Sequence, residues 1–349
     1  MVLNNNSEFN FVILVFLLYF CLSVFLFYIN TNMFQTTVDI PNSELKISYE
    51  SRILTLGSCF AQNIGTKLKE DYFETEINPF GVLYNPISIA NSILLLLEKK
   101  VFTKEDIFQY NDLWQSFSHS SLFSDVSVDK CLEKISLPFK RNSEFIKLTD
   151  ILLITFGTAW VYEEKKSGIV VSNCHKLPAK NFIRRRLTID EIVKVYKSLI
   201  IKLAQLNPRI KIIFSVSPVR HWKDGAHENN ISKSTLLLAI DELQKTNEQV
   251  YYFPAYEIQI DELRDYRFYS NDMFHPSEVA IDYIWKRFSE TYFDDLTNKM
   301  KAEFEQFTND LNHRPLFPDS NEFLKFQHNI LKKKDLLKTK YPFLRDRLR

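Results

Sequence analysis

One stretch, residues 53–65, constrains the fold of this chain more than any other. It reads ILTLGSCFAQNIG: four strand-forming residues, then Gly57, two side chains able to act as nucleophiles, and the start of a helical pattern. A strand that turns directly into a helix places the turn at the carboxyl edge of a sheet and at the positive end of a helix dipole. Ser58 and Cys59 are therefore candidate nucleophiles. The alternative is a tight turn that Gly57 permits and Ser58 caps.

From residue 53 to residue 293, short apolar runs alternate with helical segments. This alternation predicts an α/β fold, a three-layer α/β/α sandwich around a mostly parallel sheet. The predicted strands are 53–56, 75–80, 150–157, 211–216 and 250–253, with a β-hairpin across 160–171. The predicted helices are 60–70, 87–97, 124–145, 188–206 and 231–247, and a further helix opens at Pro276.

Charge and cysteine usage argue against several classes of protein. Forty-four basic residues nearly balance 43 acidic ones, so no overall positive field attracts nucleic acid. The four cysteines form no Cys-x-x-Cys pair, and we expect neither a zinc site nor a disulfide framework. Between His221 and Glu228 there are two histidines and two carboxylates, but their spacing matches no standard metal site. We predict no metal and no cofactor.

Residues 1–32 contain an apolar run, residues 11–29, in which only Ser23 is plainly polar. As a helix this run would be about 28 Å long, close to the roughly 30 Å hydrocarbon core of a bilayer. We interpret it as a membrane anchor if it is translated. One alternative is translation from Met33, which would leave a cytoplasmic protein, and another is a cleaved signal peptide. The lack of basic flanking residues weakens both the anchor and the signal peptide.

Residues 294–349 follow the α/β unit of residues 33–293 and have a more polar, helical pattern. Helices are predicted over 295–312 and 321–340. The last stretch, Lys332–Arg349, holds eight basic and two acidic residues. We predict a solvated, basic helical appendage, with contact to anionic lipid or polysaccharide as the alternative.

A second candidate pair, Asp272 and His275, is separated by about one helical turn just before Pro276. Acyl transfer through Ser or Cys needs an imidazole that accepts a proton and a carboxylate that orients it. The alternative is that Asp272 caps the helix and His275 packs. Loops after parallel strands share one sheet edge, so we expect this pair to meet the Gly57 turn there.

These motifs resemble those of the GSCFA family, which is placed in the SGNH/GDSL hydrolase superfamily. The resemblance covers about residues 36–293. Its motifs are LGSCFA at 56–61, NPFG at 78–81, FGTA at 156–159, NCHK at 173–176, SPVRH at 217–221 and DMFHP at 272–276. The resemblance implies a flavodoxin-like α/β/α sandwich of the SGNH type. It also implies ester hydrolysis or acyl transfer, with a carbohydrate or glycan as substrate.

The superfamily roles transfer to this chain with two departures. The superfamily nucleophile stands two residues after a glycine, so Gly57 puts Cys59 in that position and Ser58 would need a one-residue shift of the turn. A cysteine beside a helix N-terminus and a histidine is a competent nucleophile. His275 would be the general base and Asp272 its orienting partner.

The second departure concerns the oxyanion hole, which the resemblance assigns to backbone N–H groups and an asparagine side chain. Gly81 matches the glycine that supplies one N–H. The corresponding motif here, FGTA at 156–159, contains no asparagine. Thr158, Asn85 and Asn173 are therefore the candidate replacements for its side chain. Loss of one such donor costs about 3 kcal/mol of transition-state stabilisation.

Arg220 and His221 are the candidate substrate-binding residues, because they follow a predicted strand at the same sheet edge. The three arginines at 184–186 are interpreted as a solvated turn, with anion binding as the alternative. We predict an acyl-ester hydrolase or acyltransferase that takes an acyl ester or acyl donor and a carbohydrate-type acceptor. The alternative is a non-catalytic carbohydrate-binding module that keeps the fold.

Overall fold

The computed structural model of the protein describes residues 36–313, 316–317 and 320–348. The predicted anchor at 11–29 lies outside these residues. Among the helices that are described, none is long and apolar enough to cross a membrane.

The described chain contains both strands and helices. Its strands are β1 (Arg52–Gly57), β2 (Glu74–Ile77), β3 (Phe108–Tyr110), β4 (Leu113–Gln115), β5 (Ile151–Phe156), β6 (Trp160–Glu164), β7 (Val170–Val171), β8 (Phe182–Arg186), β9 (Lys211–Val216) and β10 (Val250–Tyr252). Its longer helices are α1 (Cys59–Glu70), α2 (Pro86–Glu98), α3 (Val128–Phe145), α4 (Ile189–Leu206), α5 (Gly225–Thr246), α6 (Glu278–Tyr292), α7 (Asp295–Asn312) and α8 (Asn321–Lys340). A short turn, Ala255–Glu257, runs into the π-helical turn Ile258–Glu262.

The central sheet has the strand order β10-β9-β5-β1-β2, and every neighbouring pair is parallel. Counted along the chain, these five strands are ordered 2-1-3-4-5 across the sheet, which is the flavodoxin-like arrangement. The predicted α/β/α fold is therefore confirmed. The order reverses between β1 and β5, and the carboxyl ends of strands at such a point are where ligands bind in open α/β sheets.

Helices cover both faces of this sheet, as strands that are apolar on both sides require. Leu54 and Leu56 of β1 face a core built with α2, α3, α4 and α5. Ile53 faces the second core, which contains α1 and α6. The side chains of β1 alternate between the two cores because successive strand residues point to opposite faces.

Two smaller sheets lie outside this sandwich, and one of them corrects a prediction. Strands β3 and β4 form an antiparallel hairpin, and β6 pairs antiparallel with both β7 and β8. The arginines at 184–186 belong to β8 and do not form a solvated turn. Arg185 pairs with Glu163 and with Glu191, each at 2.7 Å, so carboxylates on β6 and α4 hold the strand in place.

Two predicted helix starts also differ from the structure. Helix α5 begins at Gly225, six residues before the predicted start at 231, and the polar residues of its first turns gave no apolar period to detect. Helix α6 begins at Glu278, because the Ser277 hydroxyl caps it by accepting the Ala280 N–H.

The C-terminal helices pack against the second core. Phe304 and Phe307 of α7 and Leu337 of α8 are buried in the same cluster as Ile53. The Phe304 ring meets Tyr49 edge-on with centroids 5.2 Å apart. This contact differs from the predicted solvated appendage, because α7 carries an apolar face under its polar residues. The domain boundary at 293 stays a prediction.

Candidate active site

The β1–α1 junction requires a glycine at position 57. Gly57 has φ +139°, and a Cβ there would lie 2.2 Å from the Thr155 carbonyl oxygen on the neighbouring strand. Its N–H donates to Asn78 Oδ1 at 2.9 Å. Only a glycine lets β1 lie this close to β5 at the point where the chain turns from the strand into α1.

The structure separates the two adjacent nucleophile candidates. Ser58 is 2% exposed, and its hydroxyl oxygen accepts the Phe60 N–H at 3.3 Å as the N-cap of α1. Cys59 is half-buried at the first position of the helix. Its Sγ lies 3.7 Å from the Tyr84 hydroxyl oxygen. The Cys59 N–H has no preceding helical carbonyl to accept it, as is usual in the first turn.

Asp272 and His275 form the hydrogen-bonded pair that their spacing predicts. Asp272 Oδ1 accepts the N–H groups of Phe274 and His275, each at 2.9 Å. Asp272 Oδ2 lies 2.6 Å from His275 Nδ1. The backbone N–H groups of His275 and Phe274 lower the pKa of the Asp272 carboxyl to about 2. The ionised carboxylate can only accept, so Nδ1 carries the proton and Nε2 is left as the proton acceptor.

A cleft of 590 Å³ lies at this edge of the sheet. It brings together His275 with most of the other candidate site residues. These cleft residues are Asn85, Thr158, Asn173, Arg220 and His221. Tyr84 also lines the cleft, whereas Cys59, whose thiol touches the Tyr84 hydroxyl, is not among the lining residues. Across the described residues, no hydrogen bond joins Cys59 directly to His275.

Gly81 does not face the cleft. Its N–H donates to the Asn78 carbonyl at 2.7 Å, within a tight turn. A Cβ at Gly81 would lie 2.0 Å from Ser120 Oγ, and its φ is +75°, so a glycine is needed there for the turn itself. The N–H that the resemblance assigns to an oxyanion is thus already bonded in this structure.

The three side-chain candidates for an oxyanion donor all have partners. The Thr158 hydroxyl accepts the Trp160 N–H at 3.2 Å and lies 3.1 Å from Ser232 Oγ. Asn173 Nδ2 donates to Ser121 Oγ at 3.2 Å. Asn85 caps α2 through Oδ1, and its Nδ2 donates to Ser88 Oγ at 2.9 Å. Since an amide nitrogen has two hydrogens, Asn85 keeps one for a further acceptor.

His221 stands beside Tyr84, with ring centroids 5.7 Å apart in an edge-to-face contact. Its backbone N–H donates to Asn229 Oδ1 at 3.0 Å. Burial, reinforced by the charge of Lys233, lowers the pKa of the imidazole to about 4. His221 is therefore neutral at pH 7 and presents a polar ring without a charge.

Two residues near the cleft were not predicted from the sequence, Tyr84 and Lys233. Lys233 is 1% exposed, and its ammonium donates to the Gly157 carbonyl at 2.8 Å and to the Ser217 carbonyl at 2.7 Å. Its position in a period with Leu236, Leu237 and Ile240 is a sequence signal for the buried face of α5. Tyr84 has no comparable signal, because its contact with Cys59 depends on how two loops fold.

Burial and the neighbouring Cys59 raise the pKa of the Tyr84 hydroxyl above its ordinary value, so Tyr84 is a neutral donor at pH 7. The described residues contain no group of three or more His, Cys, Asp or Glu side chains placed to hold a metal ion.

Comparison with known proteins identifies the family. The family model described as the GSCFA family matches residues 52–288, more than half of the chain. The chain belongs to the GSCFA family. A second model, described as the GSCFA domain protein C-terminal domain, matches residues 304–346, which include the second half of α7 and all of α8. No curated protein matches the chain. In this GSCFA protein, the motif at 57–61 is the β1–α1 junction itself.

Proposed function

We propose that this GSCFA protein is an acyl-ester hydrolase or acyltransferase in which Cys59 is the nucleophile and His275 the general base. The observation that carries the proposal is the Asp272–His275 pair at the cleft. Its geometry leaves Nε2 as the proton acceptor, and Tyr84 connects the same cleft to the Cys59 thiol. A carboxylate, an imidazole and a thiol at one sheet edge are the groups that acyl transfer requires.

The choice of Cys59 over Ser58 is supported by burial and hydrogen bonding. The Ser58 hydroxyl oxygen is enclosed and caps α1, so attack by Ser58 would uncap the helix. Cys59 is half-buried and stands at the first position of α1, so attack by its thiol leaves the Ser58 cap in place.

The proposed reaction has two stages. The thiol proton moves to His275 Nε2 as Sγ attacks the carbonyl carbon, and collapse of the tetrahedral intermediate forms a thioester. The leaving alkoxide takes the proton from His275. Water or an acceptor hydroxyl then gives up its proton to Nε2 and attacks the thioester, and the departing Cys59 Sγ takes that proton back from Nε2. Hydrolysis and transfer differ only in this second nucleophile.

Proton transfer requires the thiol to exchange its contact with the Tyr84 hydroxyl for one with His275. Hydrogen bonds of catalytic groups often form only once substrate is bound. The Cys59 N–H and the second amide hydrogen of Asn85 are the proposed oxyanion donors, in place of the Gly81 N–H. Asn85 lines the cleft at the start of α2.

The carbohydrate part of the proposal comes from the superfamily resemblance and is supported by the cleft lining. Trp160, Tyr162, Trp222 and Phe274 line the cleft. Trp222 is stacked on Phe274 with centroids 5.5 Å apart. Aromatic faces interspersed with a few polar groups suit an amphipathic ligand such as a sugar.

The test is turnover by the full-length chain of p-nitrophenyl acetate and short acyl-CoA donors. We expect Cys59→Ala and His275→Ala to lower the rate by about 100-fold or more. Ser58→Ala is the matched control and should retain turnover in its folded fraction. The proposal fails if the wild type transfers no acyl group from either donor class, or if Cys59→Ala or His275→Ala retains full activity. Loss of activity only in Ser58→Ala would reassign the nucleophile.

A further inference from the structure

The side chain of Arg220 is poorly satisfied by the protein around it. Among the described residues, its side chain donates one hydrogen bond, from Nη2 to Asn230 Oδ1. The distance is 3.4 Å, near the limit for a hydrogen bond. Its buried Nε has no acceptor within the part of the chain that the structure describes. In the same residues, no carboxylate lies within ion-pair distance of the guanidinium. Arg220 therefore brings an uncompensated positive charge to the cleft that it lines.

The other charged groups of the cleft do not balance this charge. Arg184 pairs with Asp224 at 2.5 Å and lies over the Trp160 ring at 4.1 Å. The Lys223 ammonium donates to the Tyr162 hydroxyl at 3.0 Å, a neutral partner. The cleft lining therefore contains three cationic side chains and one carboxylate: Arg184, Arg220, Lys223 and Asp224. The lining carries a positive excess although the whole chain is nearly neutral.

A further basic group, the Lys233 amine, is enclosed behind the cleft. Among the described residues, the buried Lys233 ammonium donates hydrogen bonds only to the neutral Gly157 and Ser217 carbonyls. Burial lowers the pKa of Lys233 to about 7, and the second cause is the repulsion that a charged Lys233 would meet from Arg220. Cations that are removed from water without an anionic partner destabilise a folded protein. A bound anion would relieve this repulsion.

The position of Arg220 is fixed by aromatic packing. Its guanidinium lies over the Trp222 ring, 5.2 Å from the centroid, and its backbone N–H donates to the Phe274 carbonyl at 3.3 Å. Phe274 directly precedes His275. The guanidinium is therefore held at a set place relative to the proposed general base.

We propose that the substrate of this cleft carries a carboxylate or phosphate group and that Arg220 binds it. The proposal rests on the proposed function in taking the cleft as the substrate site, and it narrows the carbohydrate class to acidic or phosphorylated carbohydrates. A guanidinium provides several N–H donors in a planar fork that matches a carboxylate or a phosphate.

The test compares the binding of four probes to the full-length chain by isothermal titration calorimetry: glucose, glucuronate, glucose 6-phosphate and inorganic phosphate. We expect glucuronate or glucose 6-phosphate to bind about tenfold or more tightly than glucose, because one charge-assisted bond is worth about that ratio. The preferred probe identifies the anion. Inorganic phosphate binding as tightly as glucose 6-phosphate supports the anion site and contradicts the carbohydrate.

Three variants test the residue. Arg220→Gln should abolish the preference for the anionic probes, and Arg220→Lys should retain part of it. Arg141→Gln removes the same charge from α3, outside the cleft lining, and should leave the preference unchanged. If Arg220→Gln does not fold, Arg220→Lys and the weakening of wild-type anion binding by NaCl provide the test.

Equal affinities for the neutral and anionic sugars, no binding of any probe, or a preference that survives Arg220→Gln would overturn the proposal. Titrations of Cys59→Ala with the same probes measure the anion preference independently of turnover. If the wild type shows no turnover but the preference for anions is intact, the catalytic role alone is refuted. If the wild type turns over substrate but shows no preference for anions, the anion site alone is refuted.

Discussion

Single residues at the sheet edge decide whether the site can form, and Gly57 is the clearest case. We predict that Gly57→Ala lowers the free energy of unfolding by about 3 kcal/mol or more. A left-handed φ costs a residue with a Cβ about 1–2 kcal/mol, and here the Cβ also meets the Thr155 carbonyl at 2.2 Å. Urea unfolding of both proteins measures the difference.

Gly168→Ala is the matched control for Gly57→Ala. Gly168 also has a positive φ, +69°, but a Cβ there would have no atom within 4 Å. Its loss of stability should stay at about 1 kcal/mol. Equal losses in the two variants would show that the approach of β1 to β5 is not tight.

The tautomer of His275 is a second property of single residues. We predict that Asp272→Asn lowers turnover by about 100-fold or more while the protein stays folded. The amide oxygen of Asn can still accept the Phe274 and His275 N–H groups, but its NH₂ then faces His275 Nδ1. The imidazole must accept there, so the proton moves to Nε2 and the base is lost.

Nitrogen NMR of the His275 ring checks this prediction independently of turnover, since the shifts of Nδ1 and Nε2 report which atom carries the proton. His275→Gln lacks the imidazole, so it identifies the His275 signals in the spectrum and gives the turnover that remains without the base. An unchanged tautomer in Asp272→Asn would show that Asp272 does not orient the ring.

At the scale of elements, Lys233 joins α5 to the carboxyl ends of β5 and β9. Its pKa is about 7 in the folded protein against an ordinary 10.5. Between these values the unfolded chain binds a proton that the folded chain does not. This contribution therefore makes the folded state more stable as pH rises from about 7 toward 10.5, by at most about 1.4 kcal/mol per pH unit.

We predict that Lys233→Met loses this rise in stability with pH. Urea unfolding at pH 7, 8 and 9 should show a widening difference that favours the wild type. The variant also leaves the Gly157 and Ser217 carbonyls without a donor, a cost that does not change with pH. Lys245→Met, an exposed position of the same helix paired with Asp241, should show no widening. Parallel pH profiles for wild type and Lys233→Met would contradict the prediction.

Some strands and helices can be predicted from local sequence patterns and others cannot. Strand β9 has the predicted bounds, and Thr188 caps α4 with a capping box, because both features depend on contiguous residues. Strand β8 was missed. Its three arginines favour solvent by themselves, and only their pairing with carboxylates on other elements makes the strand stable.

At the scale of the whole molecule, the C-terminal helices belong to the core of the α/β unit. We predict that Phe304→Ala lowers the free energy of unfolding by about 3–5 kcal/mol, because it leaves a cavity beside Tyr49 and Tyr72. Leu331→Ala is the control on α8. Leu331 is 58% exposed, and its loss should stay within about 0.5 kcal/mol. A similarly small loss for Phe304→Ala would mean that α7 is not part of the core.

Arg347 closes this arrangement near the end of the described chain. Its guanidinium donates to the Tyr49 carbonyl at 2.7 Å and pairs with Glu74 at 2.9 Å. The basic tail was predicted to be solvated because a count of charges does not show which of them finds a partner. Here one arginine is held by groups about 300 positions earlier in the chain.

The sequence by itself determined the five strands of the central sheet and the helices between them, the Gly57 turn, the Asp272–His275 pair and the family. Each of these features depends on a run of neighbouring residues, because backbone preferences and the spacing of apolar residues act over short stretches of the chain. Only the tertiary structure decided that Ser58 is enclosed while Cys59 meets Tyr84, that the Gly81 N–H is already bonded, and that Arg220 Nε has no acceptor among the described residues. Burial and partnership depend on which distant segments pack together, and no local pattern carries that information.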